Sequence, residues 1–169
     1  TDGNILLIKL GAMGDVIRTT PLLLRLKKEY PRKRIFWLTQ YPAVIPNLVD
    51  HTLTLSLEDL TYTRSIEFDI AINLDKEREA CAVIEQLNVS EKFGFGLTAS
   101  MPAPINQMAE HKFRTGISDA YSKSNKFHYL EEIFSICGWE YDNEKYVLPE
   151  IDRSSTPDGL RRDQLIVGL

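Results

Sequence analysis

A doubly wound α/β fold with a parallel sheet is predicted by three features of this 169-residue sequence. Unbroken apolar runs recur as "NILLIKL" (Asn4–Leu10), "RIFWLT" (Arg34–Thr39) and "FDIAINLD" (Phe68–Asp75), as expected of strands covered on both faces. Segments with helical spacing alternate with these runs, which is the order of a parallel sheet with crossover helices. A turn carrying two glycines joins the first run to its helix, at the strand end where an open α/β sheet binds ligands.

The elements follow in chain order. After the first strand, Val16, Thr19, Leu23, Leu26 and Tyr30 recur at spacings of 3 and 4, one face of a helix. Pro21 lies inside that helix and lacks a backbone donor, so the spacing predicts a kink there, or a restart with Thr20 as cap. "YPAVIPNLV" reads as a short, proline-bracketed turn, "HTLTLSL" as a strand and Glu58–Ile66 as a weak helix. The helix "KEREACAVIEQL" follows the third apolar run, and "EKFGFG" is a short strand whose glycines predict close backbone approach.

From Leu97 to Lys126 no period stands out, and Pro102, Pro104 and Gly116 interrupt the tract. "KFHYLEEIFSICG" returns to helix, with Tyr129, Leu130, Ile133, Phe134 and Cys137 on one face and Gly138 as its C-terminal cap. "IDRSSTPDG" has linker composition, and "QLIVGL" begins one more buried-strand pattern.

The composition is that of a globular protein with one well-cored domain: 43% hydrophobic, 26% charged, and no apolar run of bilayer-spanning length. Cys81 and Cys137 lie far apart on amphipathic segments and read as buried thiols in a reducing compartment. Neither they nor His51, His111 and His128 show metal-ligand spacing, so no metal is expected. The net charge of −4 argues against a nucleic-acid partner. Eight Lys/Arg against three Asp/Glu up to Arg34 nevertheless leave that segment at +5. Its densest part, "RLKKEYPRKR", reads as a solvated helix C-terminus, or as a patch attracted to an anionic membrane surface.

The turn "KLGAMGDVIRTTPLL" (Lys9–Leu23) admits three readings. Asp15 could cap the helix. The turn could hold a dinucleotide, but only "GAMG" is present and the second strand ends in Thr39–Gln40–Tyr41, without the acid that grips a ribose. The third reading is a carboxylate offered to a neutral acceptor as general base.

The order Lys-x-Gly-x-x-Gly-Asp-Val-Ile-x-Thr-x-Pro-Leu-Leu resembles the opening of the family 9 glycosyltransferases, the lipopolysaccharide heptosyltransferases. "FDIAINLD", "KFGFG" and "FHYLEEIFSICGWE" extend the likeness more weakly. The resemblance implies the N-terminal half of a two-domain GT-B enzyme. Residues 1–150 would form a Rossmann-like acceptor-binding domain and 151–163 a linker, with 164–169 as the first strand of a C-terminal donor-binding domain. The implied reaction moves a sugar from a nucleotide-sugar, ADP-heptose, to a glycolipid or oligosaccharide acceptor of the lipopolysaccharide core, without metal or cofactor. This half alone is then expected to be inactive.

Asp15 is implied as the general base, with Lys9, Gly11, Ala12, Met13, Gly14 and Arg18 at the acceptor. Gly11–Ala12 departs from the pair of hydroxyl residues that many members carry, so a hydrogen bond to substrate is lost there. Asp75 is expected to cap the next helix or to meet substrate. Among the cations of the irregular tract (His111, Lys112, Arg114, Lys123 and Lys126), Arg114 and Lys123 are candidates to grip an anionic acceptor, against the reading of a polar surface loop. Met101, Ile105 and Met108 read as packing residues rather than lipid contacts. The expected location is the cytoplasm, with peripheral contact at the inner membrane face. The rival function is a non-catalytic, Rossmann-like module that binds a sugar or nucleotide, or a flavodoxin-like regulatory domain with Asp15 purely structural.

Overall fold

The computed structural model describes residues 2–117 and 125–150. Lys123, the expected linker 151–163 and the expected strand 164–169 lie outside them. Six strands form one sheet: β1 (Asn4–Ile8), β2 (Arg34–Leu38), β3 (His51–Leu53), β4 (Phe68–Asn73), β5 (Val89–Thr98) and β6 (Met101–Pro104). Their order is β3-β2-β1-β4-β5-β6, parallel except for β6, which runs antiparallel to β5. Among the described residues the helices are α1 (Met13–Thr19), α2 (Pro21–Glu29), α3 (Leu57–Ser65), α4 (Arg78–Glu85), α5 (Gln107–Ile117) and α6 (Tyr129–Ile136), with a 3₁₀ turn at Pro42–Val44.

The unbroken apolar strands divide their side chains between two cores. Ile5 and Leu7 of β1 join Leu23 and Leu26 of α2 and Ile133 and Phe134 of α6 on one face. Leu6 and Ile8 join Phe36, Phe68 and the α4 residues Ala80 and Ile84 on the other. The predicted doubly wound α/β class is therefore the observed one. Pro21 acts as foreseen: α1 ends at Thr19, Thr20 takes the N-cap position of α2, and Pro21 is its first residue. Gly138 closes α6 with a positive φ, while the Gly138 and Trp139 amides donate to the Ser135 and Phe134 carbonyls, a Schellman pair.

Four elements differ from the expectation. "HTLTLSL" pairs only over His51–Leu53. β5 extends to ten residues, and the tract from Leu97 holds β6 and α5. The β5–β6 hairpin turns through Ala99 and Ser100, both at positive φ, so the turn chemistry is hidden in residues that rarely adopt it. Pro102 and Pro104 are tolerated because β6 is an edge strand. Met101 and Met108 are about half exposed rather than packed, whereas Ile105 lies against the core. Much of the basic stretch is paired within the chain: Arg25 with Glu144, Lys27 with Asp50, Arg32 with Asp2 and Lys33 with Asp69.

The glycine expectation in β5 holds at Gly94. Its φ is +97°, and a Cβ there would stand 1.8 Å from the Asn73 carbonyl oxygen of β4. Gly94→Ala is expected to destabilise the fold by roughly 2–4 kcal/mol, read as a lower urea midpoint at unchanged slope. Gly14→Ala, with nothing within 4 Å of the new methyl, should be neutral or stabilising by up to about 1 kcal/mol.

Cys81 and Cys137 are free and buried, as expected. Burial pushes the Cys81 thiol up to about 11 and the Cys137 thiol up to about 12. Iodoacetamide at about pH 8 should therefore leave both unlabelled in the folded protein and label both after unfolding, as counted by intact mass.

Candidate active site

The sheet order reverses between β1 and β4: β1 continues to β2 on one side, and β4 leads to β5 on the other. A groove of about 530 Å³ opens beyond the carboxyl ends of these two strands. Such a switch point is where open α/β sheets bind ligands. Its lining includes Lys9, Gly11, Ala12, Asp15, Arg18 and Asp75 from the predicted set. Lys76, Glu77, Lys112 and Tyr129 join them.

The turn that carries Asp15 is held from beneath. Lys9, the residue after β1, is buried, and its Nζ donates to the Gly11 carbonyl and to Asp75 Oδ1, each at 2.6 Å. Asp75 follows β4 and is also buried. Its Oδ2 accepts from the Leu10 amide and, at 3.4 Å, from the Gly11 amide. Asp75 is fixed in turn, because its own amide donates to Asn73 Oδ1 and Asn73 Nδ2 donates to the Phe95 carbonyl. The expected cap role of Asp75 is thus corrected: Glu77 occupies the N-cap position of α4, and Asp75 bonds the β1–α1 turn instead. Lys9 is likewise committed to that turn as well as facing the groove.

Asp15 does not cap its helix. Ala12 is the N-cap residue of α1, and Asp15 sits in the first turn with its side chain 40% exposed. The partner of its carboxylate among the described residues is Arg18, whose Nη1 donates to Oδ1 at 3.3 Å. The capping reading gives way because the chain enters α1 three residues earlier than a cap at Asp15 requires. A carboxylate left outside the capping bonds, at the lip of a groove, can accept a proton.

Around it the groove is mixed in charge. Burial, reinforced by the Lys112 ammonium, holds Lys76 below its ordinary range. Burial and the nearby Asp75 carboxylate push Glu77 up. Tyr129, the first residue of α6, is pushed up to about 12 by burial, and its hydroxyl lies 3.1 Å from Thr19 Oγ1. Lys112 Nζ is bonded to Glu132, a buried carboxylate that also accepts from Thr115 and Asn125.

Other predicted residues are elsewhere. Met13 and Gly14 are exposed beside the groove and do not line it. Arg114 lies on the outer side of α5 with Glu110 one turn away, also outside the lining. Sequence spacing placed Tyr129 on the core face and missed its hydroxyl at the groove. An aromatic with a polar tip at the first position of an amphipathic helix was the available signal.

Two structures of the E. coli heptosyltransferase WaaC match 85% of this chain at 13% identity. The one with ADP gives a TM-score of 0.56 over 50% of its own length, and the one with ADP-2-deoxy-2-fluoro heptose gives 0.51 over 51%. The fold is one shared with heptosyltransferases. A glycosyl transferase family 9 structure from Veillonella parvula matches 59% of this chain at 21% identity, with a TM-score of 0.49 over 33% of its length. The chain thus spans about half the length of the WaaC structures it matches. No family model matches this chain, and no curated protein matches it by sequence.

Proposed function

We propose that this chain is the acceptor-binding half of a glycosyltransferase of the heptosyltransferase kind, with Asp15 as its general base. The observation that carries the proposal is the half-exposed Asp15 carboxylate, free of any capping bond, at the lip of the switch-point groove. The WaaC likeness supports the fold on which that reading rests.

In the proposed reaction an acceptor hydroxyl oxygen attacks the anomeric carbon of a nucleotide-sugar, and the bond from that carbon to the diphosphate oxygen breaks. The hydroxyl proton passes to Asp15, and the diphosphate leaves with the bonding electrons toward a second domain that holds the nucleotide. Residues 151–163 would be the linker and 164–169 the first strand of that domain. The proposed donor is ADP-heptose and the proposed acceptor a lipopolysaccharide core. Lys9, Gly11, Ala12 and Arg18 face the acceptor in this scheme. No helix among the described residues is long and apolar enough to cross a membrane, so the proposed membrane contact is peripheral, through the basic stretch Arg25–Arg34.

The test is full-length protein assayed with several nucleotide-sugars and glycolipid acceptors, beside Asp15→Asn. Sugar transfer that survives unchanged in Asp15→Asn would sink the base assignment.

A further inference from the structure

The base and its neighbours on α1 are not held by α1 alone. The Arg18 guanidinium carbon lies 4.2 Å from the centroid of the Tyr129 ring, while Arg18 Nη1 reaches Asp15 Oδ1. The Tyr129 hydroxyl lies 3.1 Å from Thr19 Oγ1, which donates to the Asp15 carbonyl at 2.8 Å. One side chain of α6 therefore touches α1 twice, once through its ring and once through its hydroxyl. Behind Tyr129, α6 is anchored in the core by Leu130, Ile133 and Phe134.

An exposed Arg–Asp pair one turn apart on a helix holds its partners weakly, because two mobile side chains must be ordered in water. A ring face that is largely buried holds a guanidinium more firmly and fixes its plane. From this we infer that Tyr129 is a positioning residue: its ring parks Arg18 against Asp15 and so sets the orientation of the carboxylate presented to the groove. The inference rests on the reading of Asp15 as base, but the contact it invokes is measurable apart from turnover.

The experiment uses full-length protein with Tyr129→Phe, Tyr129→Leu, Arg18→Ala and the double variant Tyr129→Leu/Arg18→Ala. The order of the Arg18 Nε–H bond is followed by nitrogen-15 NMR relaxation, and kcat and acceptor KM are measured in parallel. Tyr129→Phe keeps the ring and should keep Arg18 ordered, with kcat within about threefold of wild type. Tyr129→Leu should release Arg18 into fast motion and lower kcat about tenfold, with a smaller change in acceptor KM. Arg18→Ala, at an exposed position that the core does not need, should give the same loss of kcat with a larger rise in acceptor KM, because Arg18 also faces the acceptor, and the double variant no further loss of kcat.

Arg18 staying equally ordered in Tyr129→Leu would overturn the inference, as would losses that multiply in the double variant or an Arg18→Ala enzyme with unchanged kcat. Should the wild-type protein transfer no sugar, or Asp15→Asn stay fully active, the proposed function falls and the positioning role with it. The NMR comparison then still shows whether the ring holds Arg18.

Discussion

Asp15→Asn should lower kcat by about 10²- to 10⁴-fold while leaving the protein folded. That span corresponds to roughly 3 to 5 kcal/mol of lost transition-state stabilisation. The structural cost is expected to be much smaller. Asp15 makes no capping bond, and the partner of its carboxylate among the described residues is an exposed arginine one turn away. What Asn forfeits is the attraction of a carboxylate to the helix N-terminus, about 0.3–1 kcal/mol, and a weak surface ion pair. The two outcomes are thus far enough apart to be read in one preparation. A melting temperature within a few degrees of wild type beside a loss of turnover assigns the proton to Asp15. An equal loss in melting temperature and turnover would instead mark a structural residue, and unchanged turnover would return the carboxylate to solvent.

The doubly wound sheet was legible because its strands are buried on both faces. Asn4–Leu10 and Phe68–Asp75 can be nothing but central strands when every position between Ile5 and Ile8, and between Ile70 and Asn73, is buried. The break at Pro21 and the close at Gly138 were legible because each residue carries its backbone constraint in its own covalent structure. The β5–β6 hairpin was not. Ala99 and Ser100 adopt positive φ without the Asn or Gly that would announce it, and the strand that follows contains two prolines. Helix α5 hid for another reason: Ala109 is fully buried and Phe113 partly so, while Met108 faces outward, which leaves almost no apolar stripe to count.

The site divides the same way. Asp15 stood out because a carboxylate between a glycine turn and an apolar helix face is conspicuous in one dimension. Its supports are long-range: Asp75 lies 65 residues from Leu10, and Tyr129 lies 110 from Thr19. Spacing along the chain cannot show which of several acids lands beneath a particular turn. The expected cap role for Asp75 followed local logic, and the tertiary fold used the side chain elsewhere.

Asp75→Ala is accordingly the substitution expected to cost the most stability. Removing one member of a buried ion pair leaves the other charged with little access to water, and the usual penalty is about 3–5 kcal/mol. Here the loss extends beyond Lys9, because the Leu10 and Gly11 amides lose their acceptor as well. For a domain of this size each kcal/mol lowers the melting temperature by roughly 2–4 °C, so a drop of about 10 °C is expected. Lys9→Met in the Asp75→Ala background removes the stranded ammonium, and that double variant should recover part of the loss, measured by thermal melts of all four proteins. Strictly additive destabilisation would show that Lys9 and Asp75 do not act as a pair. Partial recovery of stability without recovery of turnover is the informative result, since it separates the charge balance beneath the turn from the three bonds that hold Leu10 and Gly11 in place above it. Those bonds set where α1 begins, and with it how far Asp15 stands from the groove.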